Sequence, residues 1–343
     1  MNYLRYLKTI IDYLTDALNF FRKLTLFKIF NILKVRLSYR ISTIGKIPVV
    51  WGLPYTYSIE PTSLCNLQCP ECPTGIGEIL REKTNIDHDL YIKILDQIKN
   101  HASYLMLYLQ GEPFLSSKIF EMLQLANTYK IYSCISTNGH FLTDQNARKT
   151  VESGLDRIII SLDGATPDVY RIYRKRGSFH EVVAGIRRLV ETKEKMHSQT
   201  PYIILQFIVF KHNQHQIEEI KNLGNQLGVN LITIKTAQLY NYTNGHSMLT
   251  DLTKLARYKK VNDKIIFKNK LSNSCQRIWS TGVITTDGMM TSCCYDKHSN
   301  FIMGNAKNDP IKKIWSSDKF INHRLNILTD RKKIKMCTNC GEK

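Results

Sequence analysis

Acidic residues are in short supply in this 343-residue sequence: 29 Asp plus Glu stand against 48 Lys plus Arg, a net charge of +19. Such a balance draws polyanions, anionic lipid or acidic substrates, and charge alone does not choose among them. Proline is sparse at 9 residues beside 17 Gly, and no repeat or low-complexity segment stands out, so collagen-like and disordered classes are excluded. The chain is long enough to bury most of its apolar surface, which excludes a hormone-sized peptide or a disulfide miniprotein. No charged n-region, short apolar core and small-residue cleavage site opens the chain, so the expectation is a cytoplasmic protein with reduced thiols. The nine cysteines are odd in number; Cys65, Cys69 and Cys72 form one group, Cys275, Cys293, Cys294, Cys337 and Cys340 another, and Cys134 stands alone in an apolar run as core filler. Clustered cysteines in a reducing compartment point to metal.

The first fifty residues carry nine cations against Asp12 and Asp16, a local charge of +7. Leu4, Leu7, Ile11, Leu14, Leu18 and Phe21 recur at helical spacing, and a second apolar run follows from Leu26 to Leu33. Two short amphipathic helices are expected. Charges interrupt every stretch before about 18 residues, which argues against a transmembrane span. The helices either lie on an anionic membrane surface, peripheral on its inner face, or pack on the domain that follows.

From Tyr55 to Lys235 short β-branched runs alternate with longer helical ones. Strands are expected at 55–60, 104–109, 131–137, 157–162, 202–209 and 230–235, with helices at 90–99, 117–129, 143–153, 179–196 and 214–227. Six such units predict a parallel sheet with helical crossovers, either doubly wound or an open partial barrel. Beyond residue 241 a polar stretch leads into a helical segment around Leu252 to Tyr258 and then a small, cysteine-bearing appendix. Three regions result: 1–50, 51–245 and 246–343.

The sharpest signal is Ser-Leu-Cys-Asn-Leu-Gln-Cys-Pro-Glu-Cys-Pro, which sets Cys65, Cys69 and Cys72 as C-x3-C-x2-C directly after the first strand. A structural zinc site closes with four ligands, whereas three thiolates can hold three irons of a 4Fe-4S cube and leave the fourth open to a substrate. This motif resembles that of the radical S-adenosylmethionine (SAM) enzymes. The resemblance implies an α/β fold with a partial (β/α)6 TIM-like barrel, N-terminal helices and a small C-terminal iron-sulfur domain. It further implies a SAM-binding 4Fe-4S cluster on the three cysteines, cleavage of SAM to a 5′-deoxyadenosyl radical, and hydrogen abstraction from a substrate. A flavodoxin- or ferredoxin-type electron donor belongs to the same expectation. Where the family usually has an aromatic residue before the third cysteine, this chain has Glu71.

Further matches follow the strands. Gln110-Gly111-Glu112-Pro113 is similar to the family's GGEP element, making Gly111 and Glu112 SAM-binding candidates; a carboxylate suits an ammonium and glycine lets backbone approach. Ser136-Thr137-Asn138-Gly139 and Ser161-Leu162-Asp163-Gly164 look like its strand-end motifs, so Ser136, Asn138 and Ser161 join them, against the reading of hydroxyl-capped turns. Arg174 resembles a basic residue that pairs the SAM carboxylate, with Arg171 and Arg176 as alternatives. Gln206 and Lys235 point toward the same barrel mouth. The sequence singles out no catalytic residue.

The second cysteine group, with Trp279, Asp287-Gly288, Gly304-Asn305 and Ile314-Trp315 between its members, resembles the SPASM or shorter twitch appendix, whose cysteines hold auxiliary 4Fe-4S clusters. Cys275, Cys293, Cys337 and Cys340 are the assigned ligands of one second cluster, with Cys294 the alternative to Cys293. Zinc remains the competing occupant. The resemblance implies oxidation or other modification of a small-molecule or peptide substrate: peptide, sugar, aminocyclitol or lipid-linked. A zinc-organised nucleic-acid binder leaves the βα repeats unexplained, and an RNA-modifying radical SAM enzyme is the remaining alternative; nucleic acid is the disfavoured partner.

Overall fold

The computed structural model describes residues 2–341. Two long helices open the chain, α1 (Asn2–Arg22) and α2 (Leu26–Gly45), the latter started by the Thr25 hydroxyl accepting from the Lys28 amide. Both exceed the short helices expected from the apolar runs. No described helix is long and apolar enough to cross a membrane.

Alternating strands and helices follow: β1 (Thr56–Ile59), α3 (His88–Ile98), β2 (Tyr104–Met106), α4 (Ile119–Thr128), β3 (Tyr132–Thr137), α5 (Asp144–Glu152) and β4 (Arg157–Ser161). The series continues with α6 (Pro167–Tyr173), α7 (Phe179–Lys195), β5 (Tyr202–Val209), α8 (Ile217–Gln226) and β6 (Leu231–Thr236). β1 to β6 pair in consecutive order and always in parallel. A doubly wound sheet reverses its strand order at a switch point, and this one does not. The alternative left open by the alternating pattern is thereby resolved to a partial barrel. β6 pairs with β5 alone, so the barrel stays open. Central strands such as β3 are buried on both faces, as helices on one side and the barrel interior on the other require.

The C-terminal segment extends the same sheet. After the hairpin β7 (Tyr258–Val261) and β8 (Lys264–Phe267) comes a one-turn helix, α9 (Arg277–Ser280), then β9 (Thr281–Ile284), which pairs in parallel with β1. Antiparallel β10 (Met289–Thr291) and β11 (Ile302–Asn305) complete a nine-stranded sheet, and α10 (Ile311–Trp315) and α11 (Asp318–Asp330) pack behind. The helical segment expected around Leu252 to Tyr258 is absent. Those residues form turns and enter β7, because Tyr258 is held in the hairpin by pairing with Phe267. Trp279 and Trp315, both buried, donate their indole N–H groups to the carbonyls of Val49 and Gly52, pinning the chain between α2 and β1 to this segment.

The two N-terminal helices close the floor of the barrel, at the N-terminal ends of the strands. Asp16 takes the hydroxyl of Tyr132 and the guanidinium of Arg157, the first residues of β3 and β4. Asp12 accepts from Asn230 just before β6, and Lys23 pairs with Asp156 at 2.6 Å. Lys28 is buried and donates to the carbonyl of Lys130 at 2.5 Å, and burial together with Lys23 lowers its pKa to about 8. The helices do pack on the domain, through these charged side chains together with Phe20 on Tyr132, Val35 in the core and Tyr39 on Trp279.

Candidate cofactor and substrate site

At the opposite end, the loop after β1 carries Cys65, Cys69 and Cys72. The Cys72 amide donates to the Cys69 carbonyl and the Ile76 amide to that of Cys72, folding the three thiols into successive turns. Gly75 packs directly on this loop; a Cβ there would stand 2.6 Å from the Cys69 backbone. Gly111 has φ +75° and would put a Cβ 2.3 Å from the Thr62 carbonyl, so both positions require glycine. The three cysteines line a cavity of about 230 Å³ together with Gly111, Glu112, Ser136, Asn138, Ser161 and Arg174. Every sequence-assigned residue of the first site is therefore brought to one cavity.

Glu112 is fully buried and organises the cavity wall. One carboxylate oxygen accepts from the Thr137 hydroxyl at 2.7 Å and the Phe114 amide at 3.3 Å; the other accepts from the Asn138 amide at 2.7 Å. Burial nonetheless raises its pKa to about 7. The Asn138 side chain donates to Asn66 at 2.7 Å and lies 4.0 Å from the Cys65 sulfur, so the third strand end is tied to the cysteine loop. Its oxygen accepts from His140, whose Nε2 accepts the Ser178 amide. Arg174 donates through Nε to Asp163 at 2.6 Å and through Nη1 to the Cys69 sulfur at 3.8 Å. Burial raises the pKa of Cys65 to about 11 and that of Cys69 above its usual value, the latter opposed by Arg174. Ligation by iron reverses that cost, because a metal holds thiolates deprotonated.

Glu71, the departure from the usual aromatic residue, is a tether. Its carboxylate accepts from the Tyr240 amide at 2.9 Å and meets His246 at 3.1 Å, fastening the cysteine loop to the segment after β6. Glu60 went unnoticed in the sequence. Buried at the end of β1, it takes Arg81 at 2.5 Å and the amides of Gln110 and Thr286, so one carboxylate joins the loops after β1, β2 and β9. Its pKa is raised to about 7 by burial, against the pull of Arg81. A polar residue ending an apolar strand was the available signal.

In the C-terminal segment Cys275, Cys337 and Cys340 are buried. The Arg331 guanidinium donates to the Cys340 sulfur at 3.6 Å and interacts with Cys275 and Cys337. Burial lifts the Cys337 thiol to about 11, with Arg331 pulling it back. Cys293 is pushed up by Cys294 beside it and by burial, and interacts with Cys275; the Cys294 sulfur accepts from Arg277 at 3.4 Å. Cys134 is buried in the core. No group of three among the described His, Cys, Asp and Glu residues closes on a single metal ion. The chemistry of the donors suits iron-sulfur clusters: three thiols opening on a cavity, and a second set in which Cys275, Cys337 and Cys340 gather about Arg331 and Cys293 interacts with Cys275.

Beside the cysteine cavity lies a larger chamber of about 660 Å³. Glu71 and Tyr173 border both spaces, as does Lys297. Its lining includes Tyr295 and Gly341, each the immediate neighbour of a cysteine of the second group. Gln206 and Lys235 line it, as their strand positions suggested, with Lys254, Arg257 and Lys268. The chamber thus presents five cations, and its one acid, Glu71, is already engaged.

Residues 59–224 match the Radical SAM superfamily, and residues 275–341 match SPASM, an iron-sulfur cluster-binding domain. The chain belongs to the radical SAM superfamily and carries a SPASM domain at its C-terminal side, which implies 4Fe-4S clusters and SAM binding. Among curated proteins it is 25% identical over 321 residues to the tungsten-containing aldehyde ferredoxin oxidoreductase cofactor-modifying protein of Pyrococcus furiosus, covering 84% of this chain and 87% of that one. Among solved structures it resembles BtrN in complex with AdoMet and 2-DOIA, with TM-score 0.54 and 20% identity over 84% of this chain and 94% of that one. It also resembles Streptococcus suis SuiB bound to S-adenosylmethionine, with TM-score 0.64 and 16% identity over 89% of this chain and 75% of that one. At these identities the two structures establish the shared fold.

Proposed function

We propose that this chain cleaves SAM at a 4Fe-4S cluster held by Cys65, Cys69 and Cys72, oxidising an anionic substrate bound in the adjoining chamber. Cys275, Cys293, Cys337 and Cys340 would hold one auxiliary 4Fe-4S cluster, which would accept the second electron as the substrate releases a proton, and a flavodoxin- or ferredoxin-type protein would supply the first electron. The observation that carries this reading is the chamber itself, which shares Glu71, Tyr173 and Lys297 with the cysteine cavity and is also lined by Tyr295 and Gly341, neighbours of the second cysteine group. A substrate held there would adjoin residues next to both cysteine groups.

A cluster held by Cys65, Cys69 and Cys72 would supply the electron for cleavage of SAM to methionine and the 5′-deoxyadenosyl radical that takes a hydrogen atom from the substrate. Glu112, kept rigid by Thr137 and Asn138, is directed at the SAM ammonium together with the backbone at Gly111. Ser136, Asn138 and Ser161 receive its polar edge. Arg174, oriented by Asp163, serves its carboxylate. Cys293 rather than Cys294 is the ligand in this reading, since Cys293 interacts with Cys275. Lys235, Lys254, Arg257, Lys268 and Lys297 select an acidic substrate, a phosphorylated or carboxylated small molecule or an acidic peptide. Residues 51–245 act as the SAM-cleaving core and 246–343 as the auxiliary-cluster unit.

Iron and sulfide analysis with electron paramagnetic resonance on anaerobically reconstituted protein tests the assignment. About eight irons, falling to about four in the Cys65, Cys69, Cys72 triple alanine variant, are expected, with a SAM-dependent spectral change lost in that variant. Zinc in place of iron, or a spectrum indifferent to SAM, overturns it.

A further inference from the structure

Helices α1 and α2 present to solvent the face that an amphipathic helix ordinarily buries. Of 25 large hydrophobic residues exposed among the described residues, 17 fall between Leu7 and Trp51. Phe21, Leu26, Phe27, Phe30, Leu33 and Ile44 are each more than half exposed, at 56–84%. The arrangement has a clear cause. The only acids of this region, Asp12 and Asp16, are turned toward the barrel floor to meet Asn230, Tyr132 and Arg157, so the apolar side is rotated outward. Lys23 and Lys28 are drawn inward with them.

What remains outside is apolar and cationic. Arg22, Lys34, Arg36, Arg40 and Lys46 are all exposed along this face, and Trp51 stands at its end, 52% exposed. A contiguous apolar surface of this kind on a soluble fold marks an interaction site. We propose that it docks the protein on an anionic lipid bilayer, α2 lying along the surface with its apolar residues at the acyl boundary and its cations among the headgroups. At 20 residues α2 offers about 30 Å of such contact. A second copy of the chain is a poor occupant, because a two-fold contact sets the same cations against one another. The floor lies opposite the cysteine loop, so docking holds the barrel mouth toward water and leaves SAM and the substrate chamber accessible.

The test is sedimentation of the full-length reconstituted protein with vesicles of phosphatidylcholine alone, or of two parts phosphatidylcholine to one part phosphatidylglycerol. Binding to the mixed vesicles, weakened by salt, and none to phosphatidylcholine alone is expected. Phe27→Ser with Phe30→Ser is expected to lower partitioning about a hundredfold. Arg36→Glu with Arg40→Glu is expected to lower it at least about twentyfold, each removed cation counting for about fivefold. Both pairs leave vesicle-free formation of 5′-deoxyadenosine unchanged, which separates a docking role from one in catalysis. If the phenylalanine pair loses its iron through misfolding, the exposed charge pair still decides. The proposal is overturned by wild-type protein that ignores mixed vesicles, or by binding indifferent to both pairs. It is equally overturned by a concentration-dependent dimer that the same substitutions dissolve while vesicles are not bound.

Discussion

The two ends of the barrel bury polar groups to opposite effect. At the mouth, Glu60, Glu112, Asn138 and Arg174 each tie one loop to another, so loops from distant parts of the chain hold a cavity of defined shape. At the floor, Asp12, Asp16, Lys23 and Lys28 tie two helices to the strand beginnings, and the consequence is felt on the outside, where apolar residues are displaced into solvent. A buried ionic network can therefore serve either to shape an interior or to orient an exterior. Which it does depends on what the opposite face of the same element carries.

The most severe way to separate the ends is Cys65→Ala, which is expected to abolish 5′-deoxyadenosine formation while leaving vesicle binding intact; a product assay at wild-type rate refutes the role of the first cysteine group. Next comes Cys337→Ala, expected to remove about four irons per chain while SAM cleavage persists in part, as iron analysis beside the same assay reads out. At the floor, Asp16→Ala leaves Arg157 without its partner and is expected to cost about 2–3 kcal/mol in urea unfolding, reduced from the fully buried case because Arg157 is 28% exposed. Arg157→Met in the same chain should recover part of it. Glu112→Gln keeps the shape of the mouth but cannot accept from both Thr137 and Asn138 and bind an ammonium; SAM affinity, titrated by the spectral change, should fall about tenfold.

The smallest effect at neutral pH concerns His101, beside the floor. Its ring meets the Tyr57 hydroxyl, and burial together with Lys28 lowers its pKa to about 4. The unfolded chain therefore binds more protons between pH 6.5 and 4, so His101 costs nothing above that window and removes stability as pH falls through it. His101→Gln should flatten the acid limb of unfolding midpoints measured from pH 7 to 4.

The βα alternation between Tyr55 and Lys235 was legible because each strand and helix has a repeat of its own, and nearly every boundary agrees to within two or three residues. The short α6 escaped notice, too brief to display a period, and so did β9 to β11, whose pairing partners lie in β1 and in each other. Glu60 could not be singled out, because an acidic residue after a strand looks the same whether it faces water or, as here, gathers three loops. The alternative between doubly wound sheet and partial barrel was equally out of reach, since both are written in the same alternation.

By itself the sequence determined the ligand chemistry: C-x3-C-x2-C on one loop supplies three thiols however that loop is packed, and Gly111 and Glu112 follow at the next strand end. Periodicity likewise determined that α1 and α2 are helices with one apolar side. Only the tertiary structure decided that β1 to β6 run in unbroken order, that residues adjoining both cysteine groups line one cationic chamber, and that the apolar side of α1 and α2 faces outward. Each of these turns on which distant residues meet. Asp16 finding Arg157, 141 positions away, is a long-range contact, and no local repeat encodes the direction in which a helix faces once it has docked.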